Sequence, residues 1–413
     1  MKCNKCNQIY GFGWCKSCIK NDFDKWTSGN ETINKFIQDD QLSAKGFIKI
    51  IEWIPYDRLK SIKEISKGGF GTTYYAKWID GPIYRWDTIK KRWGEHDVVL
   101  KKFDDANLNE DFLNEMSILL RSMKKGFDYS NYSTRIFGIT KDSETDKYMM
   151  VLDYMPGGNL RSHLKNNFNN FNWENKLYYL WMLARSFENF HKLNIIHQDL
   201  HPGNMLSNNF RALSISDFGL SKIVGRNLKN PEKRNVFGVL PYIAPEVLCG
   251  EEYTKAADVY SFAVIAYEMI TGFAPYYDIP HNKDLARQIC DGLRLKIPFY
   301  TPKLITRVIM RCWDARITHR PTFEELHQEL WEYYSDYKEN DFKNYNEITI
   351  QIKQAEEISA NQMTTTTPMD YKSHPEAIFT SRLLNYSNLP KPKNEEKFEK
   401  EFEKLTKSTS IYF

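Results

Sequence analysis

Short runs of apolar, β-branched and aromatic residues, separated by Gly, Asp and Asn, open the central part of the chain: Ile62–Ile65, Thr72–Trp78, Asp97–Phe103, Ile136–Thr140 and Tyr148–Asp153. Runs of this length and composition predict strands. One helix interrupts them, because from Leu108 the apolar residues recur as Phe112, Met116, Leu119 and Met123, a helical spacing. Beyond Asp153 the pattern turns mostly helical. Trp173, Leu177, Leu180, Trp181, Ala184 and Phe187 mark a long amphipathic helix, and Val259–Ile270 is apolar nearly all round, which predicts a buried central helix. A small strand-rich lobe with one helix, followed by a larger and mainly helical lobe, is an α+β arrangement.

The flanks are patterned differently. Residues 21–56 are polar, with Ile33, Phe36, Ile37 and Phe47 as apolar points, and predict a joining segment with one helix. Residues 336–413 are polar again, with a Thr364–Thr367 run and a Lys/Glu-rich end. In that end Phe398, Phe402 and Leu405 fall at i, i+4 and i+7, and Glu396/Lys400 and Glu403/Lys407 are favourable i, i+4 pairs. With Asn394 as N-cap, the expectation is a short amphipathic helix on a flexible tether. Of the 413 residues, 41% are apolar and 27% charged, which excludes a disordered chain. A net charge of +4 does not make nucleic acid the default partner. The longest mostly apolar run, Phe262–Ile270, is broken by Glu268 and is too short to cross a bilayer. No apolar stretch follows the N-terminal lysine, so no secretory signal is read there. A cytoplasmic (cytosolic or nuclear) protein without membrane insertion is expected, a compartment in which disulfides are rare.

Four of the seven cysteines crowd into residues 1–20 as Cys3-x2-Cys6-x8-Cys15-x2-Cys18, among Lys2, Lys5, Lys16 and Lys20 and without an acidic residue. Two Cys-x-x-Cys turns supply four thiolates for a structural, tetrahedral Zn²⁺. So short a segment buries no core of its own, so the metal would order it. Free thiols in a disordered tail, or a redox pair, are the alternatives. A zinc knuckle of this kind contacts protein or RNA, and the sequence does not choose. Cys249, Cys290 and Cys312 read as ordinary buried or half-buried side chains.

The chemistry-bearing motifs all fall within 57–335. Ser66-Lys67-Gly68-Gly69-Phe70-Gly71 lies between two predicted strands; its glycines let backbone N–H groups approach a phosphate, although a tight hairpin explains them as well. Lys101 closes the apolar strand Val98-Val99-Leu100, and Glu115, between Phe112 and Met116, shares the inward face of the following helix. The two can form an ion pair that fixes the ammonium against a phosphate. His197-Gln198-Asp199-Leu200-His201-Pro202-Gly203-Asn204 and Asp217-Phe218-Gly219 follow. A carboxylate with a nearby amide oxygen and a second carboxylate suits Mg²⁺, which takes hard oxygen ligands, and Asp199 in its loop is placed to act as a base.

These motifs, in this order and closed by Ala244-Pro245-Glu246, resemble the eukaryotic protein kinase family. The resemblance covers about 57–335 and implies the bilobal protein-kinase fold, with the zinc-knuckle module before it. It implies ATP as substrate with Mg²⁺ or Mn²⁺, and protein substrates as partners. Lys101 would hold the α/β-phosphates and pair with Glu115, Asp199 would be the catalytic base, and Asn204 and Asp217 would bind the metal. Gly68, Gly69, Phe70, Gly71, Ile65, Thr73, Asp153 and Met155 would line the nucleotide site, with Leu152 as gatekeeper and Tyr154 in the hinge. By the same resemblance Glu246 would pair with Arg320, and Asp258 would brace the catalytic loop. Leu200–Asn204 and Leu240–Glu246 look closer to serine/threonine kinases of the tyrosine-kinase-like branch than to tyrosine kinases.

The sequence also departs from the family pattern. Ser66 replaces the first loop glycine, Thr73 a valine, Gln198 the arginine before the base, His201 a lysine, and Val239 a threonine that braces the base. The alternative function is therefore a pseudokinase scaffold that binds nucleotide and partners without efficient catalysis. Lys101 follows Gly71 by 30 residues, longer than the family norm. The extra stretch, 78–96, holds Tyr84, Trp86 and Trp93 beside Arg85, Lys90, Lys91 and Arg92 and reads as an extended hairpin packed on its own lobe, or as a docking surface. Between Asp217 and Glu246 the only hydroxyl side chains are Ser221 and Tyr242. With Gln198 unable to pair with a phosphate, activity is expected to be independent of activation-loop phosphorylation.

Overall fold

The computed structural model describes residues 3, 6–7, 15–44, 50–68, 71–86, 90–103, 110–125, 132–209, 212–224, 236–339, 346–361 and 371–409. Gly69, Phe70, Phe47, Leu108, the Thr364–Thr367 run and most of the 222–240 stretch lie outside them. The chain forms two compact units, 1–156 and 157–413.

The first unit begins with α1 (Lys16–Lys20) and α2 (Glu31–Ser43). Its strands are β1 (Glu52–Trp53), β2 (Leu59–Gly68), β3 (Gly71–Trp78), β4 (Ile83–Trp86), β5 (Lys90–Arg92), β6 (His96–Lys102), β7 (Ile136–Lys141) and β8 (Tyr148–Asp153), with α3 (Glu110–Lys125) between β6 and β7. Six strands make one sheet, in the order β1-β7-β8-β6-β3-β2, antiparallel except for β1 beside β7. The alternation read from the sequence sends Ala76, Trp78, Val98, Leu100, Phe137, Met149 and Val151 to one core face. Side chains from α2 then fasten the chain to this unit. Asp40 accepts from the Ile51 N–H at 2.9 Å and Gln41 donates to the Ile51 carbonyl at 2.8 Å, while the Tyr148 hydroxyl donates to the Ser28 carbonyl at 2.9 Å. The polar stretch 21–56 is thus bound in by buried polar groups, which an apolar count does not reveal.

The cysteine segment, too short for a core of its own, contributes instead to one it shares with its neighbours. Ile19, fully buried, packs with Ala44, Ile50 and Ile83. One small core therefore joins the cysteine segment, α2 and the base of the β4–β5 hairpin. That hairpin pairs Ile83 with Arg92 and Trp86 with Lys90. Arg92 holds it to its own unit, with Nη2 2.5 Å from Glu52 and Nη1 donating to the Gly81 carbonyl at 2.7 Å. Trp93 remains exposed.

The second unit contains β9 (Gly158–Asn159), α4 (Leu160–Asn167), α5 (Trp173–Lys192), β10 (Ile195–Ile196), β11 (Met205–Ser207), β12 (Ser214–Ile215), β13 (Lys222–Ile223) and β14 (Val236–Gly238). Helices α6 (Pro245–Leu248), α7 (Lys255–Thr271), α8 (Lys283–Cys290), α9 (Lys303–Cys312), α10 (Phe323–Glu339) and α11 (Glu347–Asn361) follow, then β15 (Arg382–Leu384) and α12 (Glu396–Thr409). Helix α7 is the buried central helix, ended by Gly272 at φ 74°, whose N–H caps the Glu268 carbonyl.

The C-terminal segment is not a flexible tether among its described residues. The Tyr371 hydroxyl accepts from Ala274 N–H at 3.2 Å, His374 N–H donates to the Tyr277 carbonyl at 2.7 Å, and Lys393 N–H donates to the Cys290 carbonyl at 3.0 Å. Asn394 does not cap α12. Its side chain instead accepts from Ala315 N–H at 2.8 Å and donates to Asp314 at 2.9 Å, because those lobe groups compete for the same amide. The helix carries both expected ion pairs, each at 2.5 Å, and buries Phe398.

Candidate active site

In the first unit, Lys101 on β6 and Glu115 on α3 are both buried. Lys101 Nζ donates to both Glu115 oxygens, at 2.8 and 2.9 Å. Each charge would be costly to bury alone, so each holds the other in place. Gly68 and Gly71 face each other across the β2–β3 hairpin. Gly71 adopts φ +128°, and a Cβ there would lie 2.0 Å from the Lys102 carbonyl oxygen. Close approach of β6 therefore demands this glycine, whatever the loop binds. Thr73 donates to the Ser66 carbonyl at 3.3 Å. Ile65 is exposed, and Asp153 accepts from His96 Nε2 at 3.0 Å on its side chain while its N–H donates to the Arg135 carbonyl at 2.9 Å. Met155 follows, half-buried.

In the second unit a single buried carboxylate organises the loop that carries Asp199. Asp258, in the first turn of α7, accepts from the N–H groups of His197 (3.0 Å) and Gln198 (3.2 Å) and bonds His191 Nε2 at 3.0 Å. These bonds stabilise Gln198 at φ 69°, a left-handed conformation costly for a non-glycine residue. The role filled at position 198 is thus largely a backbone one, which glutamine can satisfy. His197 Nε2 donates to the Ser216 carbonyl (3.1 Å) and its Nδ1 accepts from Asp199 N–H (3.3 Å). Its ring packs against Phe218 at 5.0 Å, and burial pushes its pKa down, favouring the neutral form.

Asp199 is 4% exposed. Asn204 Nδ2 donates to its backbone carbonyl at 3.0 Å and approaches Oδ2 at 3.4 Å, which turns the amide oxygen of Asn204 away as a hard donor. Burial alone would raise the Asp199 carboxyl; His201, the Ser381 hydroxyl and His197 outweigh it and hold the pKa below the ordinary range. Oδ1 has no hydrogen-bond partner among the described residues. Val239 is buried and carries no hydroxyl, and a Cβ on the preceding Gly238 would stand 3.4 Å from that oxygen. Asp217 sits at φ 60°, a second left-handed backbone in this region after that of Gln198. The oxygens of Asn204 and Asp217 are the donor type that Mg²⁺ takes.

Farther out, Glu246 and Arg320 form a buried bidentate pair at 2.7 and 2.7 Å. Tyr242 donates to Glu268 and accepts from Arg161 Nη2 at 2.7 Å. Ser221 is buried, its hydroxyl donating to the His197 carbonyl at 3.0 Å.

One site residue escaped the sequence reading. Ser381, in the C-terminal segment, donates its hydroxyl to Asp199 Oδ2, and His201 Nε2 lies 3.4 Å from Ser381 Oγ. The available signal was an apolar island, Ile378, Phe379, Leu383 and Leu384, within an otherwise polar tail.

The four N-terminal cysteines come together. Their sulfurs lie within 4.8 Å of one another, with separations of 3.4, 3.4 and 3.6 Å for Cys3–Cys18, Cys6–Cys15 and Cys6–Cys18. A tetrahedral zinc at about 2.3 Å from each sulfur requires sulfur pairs about 3.8 Å apart, so the cluster fits the ion closely. Asn7 N–H donates to the Cys3 carbonyl (2.8 Å) and Ile19 N–H to the Cys15 carbonyl (3.1 Å), closing both Cys-x-x-Cys turns.

No helix among the described residues is long and apolar enough to cross a membrane. Residues 59–330 match the family model described as protein tyrosine and serine/threonine kinase. The chain is 31% identical over 279 residues to a mimivirus protein (Acanthamoeba polyphaga mimivirus) named as a candidate serine/threonine-protein kinase/receptor, covering 67% of this chain and 16% of that protein. It is 27% identical over 281 residues to a candidate serine/threonine-protein kinase of Dictyostelium discoideum, covering 67% and 20%. It is also 28% identical over 272 residues to the stress-activated protein kinase alpha of the same organism, covering 63% and 41%. The chain thus spans less than half the length of each of these relatives. Matching residues, motif order and two-unit architecture together establish that the chain belongs to the protein tyrosine and serine/threonine kinase family.

Proposed function

We propose that the protein is an ATP-dependent serine/threonine protein kinase of the tyrosine-kinase-like branch. The observation that carries this reading is Asp199: a buried carboxylate with a depressed pKa, fixed by Asn204 and already bonded to a serine hydroxyl. An ionised carboxylate on a hydroxyl is the geometry a general base needs. Lys101, steered by Glu115, anchors the donor's α- and β-phosphates, with the Gly68–Gly71 hairpin over them and Ile65, Thr73, Asp153 and Met155 around the adenine. Asn204 and Asp217 hold Mg²⁺, which neutralises charge on the phosphate oxygens when bound. Asp199 orients the acceptor hydroxyl and takes its proton. The pseudokinase reading loses ground because none of the five departures removes the lysine, the base or a metal donor, and Gln198 keeps the backbone geometry that Asp258 stabilises. Steady phosphoryl transfer by the purified full chain, lost in Asp217→Ala and Asp199→Asn, tests the proposal; equal turnover in wild type and both variants refutes it.

A structural zinc on Cys3, Cys6, Cys15 and Cys18 completes the reading. Its role is to brace the small core around Ile19, and any protein or RNA contact would use the module's other faces. Metal analysis showing no zinc above the level of a Cys3→Ser/Cys6→Ser variant would refute it.

A further inference from the structure

The C-terminal segment is laid along the activation segment as a substrate strand. β15 pairs antiparallel with β14, in the register Val236 with Leu384, Phe237 with Leu383 and Gly238 with Arg382. That register delivers the next residue, Ser381, to the catalytic loop, where its hydroxyl meets Asp199 Oδ2. Main-chain pairing supplies the hold and side-chain sites supply the selection, as in strand-addition recognition. The sites are built ones. Arg161 Nη1 donates to the Phe379 carbonyl at 3.0 Å, with its guanidinium 4.9 Å from that ring's centroid. The His281 ring packs on Phe379 at 4.8 Å and bonds the Ile378 carbonyl at 2.9 Å. Arg382 Nη2 donates to the His281 carbonyl at 2.5 Å, Leu384 is buried, and Cys249 Sγ donates to the Pro390 carbonyl at 2.9 Å. A segment ordered on both sides of one serine, with that serine on the base, is placed as an acceptor.

We propose that Ser381 is an intramolecular phosphoacceptor, and that the segment carrying it excludes other substrates until Ser381 is phosphorylated. The inference rests on the kinase reading above. In the transfer, Ser381 Oγ forms a bond to the γ-phosphorus of ATP. The bond from that phosphorus to the β,γ-bridging oxygen breaks, and ADP leaves with its electron pair. The hydroxyl proton passes to Asp199 Oδ2. His201 Nδ1 accepts from Gly203 N–H at 3.1 Å, so Nε2 carries the N–H that faces Ser381 and helps fix the acceptor oxygen. The product places a charge of about −1.5 to −2 beside the Asp199 carboxylate. Like charges at that distance repel, so the phosphorylated segment leaves and the edge of β14 opens to protein substrates.

The test uses the full chain, phosphatase-treated and then freed of phosphatase, given Mg-ATP over a tenfold range of protein concentration. Phosphopeptides are mapped by mass spectrometry, and transfer to myelin basic protein is followed in parallel. Phosphate should appear at Ser381 with a first-order rate that does not change with protein concentration, and transfer to myelin basic protein should show a lag that ends as Ser381 fills. Leu384→Asp, which breaks the strand pairing, should slow Ser381 phosphorylation and raise initial transfer to myelin basic protein several-fold. Ser381→Ala should show no phosphate at this position and a persistently low external rate. Full-rate transfer to myelin basic protein by the wild-type chain before phosphate appears on Ser381, or a Ser381 rate proportional to protein concentration, overturns the inference and leaves the kinase reading standing. Absence of transfer to any acceptor overturns both.

Discussion

Lys176 provides a quantitative test of the helical unit. It lies in the first turn of α5, only 8% exposed. Its ammonium donates to the Ile270 carbonyl at 3.1 Å and sits 4.8 and 5.0 Å from the ring centroids of Phe168 and Trp173. Burial pulls its pKa down from 10.5 to about 8, with Glu356 opposing the shift. Because the folded pKa lies below the unfolded one, folding disfavours the charged form. The penalty is fully present below about pH 8 and is relieved as pH rises toward 10.5. The full span is about 3.4 kcal/mol, from about 1.4 kcal/mol per pH unit, and between pH 7 and 9.5 about 2 kcal/mol of it should be recovered. Urea unfolding of the wild type and of Lys176→Met at both pH values isolates this group, since titrations common to the two proteins cancel in the difference. Wild type should gain about 2 kcal/mol on the variant over that range. At pH 7 the methionine variant should be at least as stable, the relieved charge offsetting a lost hydrogen bond of about 1 kcal/mol. Parallel stability curves for the two proteins would show that the ammonium is better solvated than its surroundings indicate.

Other outcomes follow from the same physics. Arg320→Met should destabilise the second unit by about 3–5 kcal/mol by stranding the buried Glu246, while Arg320→Met/Glu246→Met should recover much of the loss in thermal unfolding. Ile19→Ala should lower the unfolding midpoint of the first unit by the equivalent of about 2–4 kcal/mol without releasing zinc, because it empties the shared core but leaves the four sulfurs; a simultaneous loss of metal would contradict the separation of roles. Phosphopeptide mapping of active protein should find no phosphate in 217–246, since Ser221 is buried and Tyr242 is locked between Glu268 and Arg161.

The parts legible in the sequence are those in which one short-range rule decides. Period-two and period-3.6 patterns located the large sheet and helices α3, α5 and α7, and fixed spacing marked the motifs that carry the family resemblance and the cysteine cluster. Long-range polar contacts carried no such signal. Nothing local to Asp40 or Gln41 announces that their side chains hold the backbone of Ile51, so 21–56 reads as a joining segment. Ile19 is one apolar residue among lysines and cysteines, and its burial depends on Ala44, Ile50 and Ile83 arriving from elsewhere. Asn394 satisfies the local rule for a cap, but Ala315 and Asp314 win its amide.

The departures at the catalytic loop and the placement of the C-terminal segment bear on one another. Where a family arginine would await a phosphate on the activation segment, Gln198 contributes a backbone N–H to Asp258 and no cation. Where the family pattern has a threonine, position 239 is valine, and Asp199 Oδ1 has no hydrogen-bond partner among the described residues. Activation-segment phosphorylation therefore has no cation at position 198 to act through. Ser381 and β15 reach both places from another part of the chain: a hydroxyl bonds Asp199 Oδ2, and a strand pairs with β14. Such contacts are removable. Control of this kinase would then reside in the occupancy of one strand-pairing edge. Weakening that edge at Leu384 should change transfer to other proteins more than Ser221→Ala does, and the reverse ranking would return control to the activation segment.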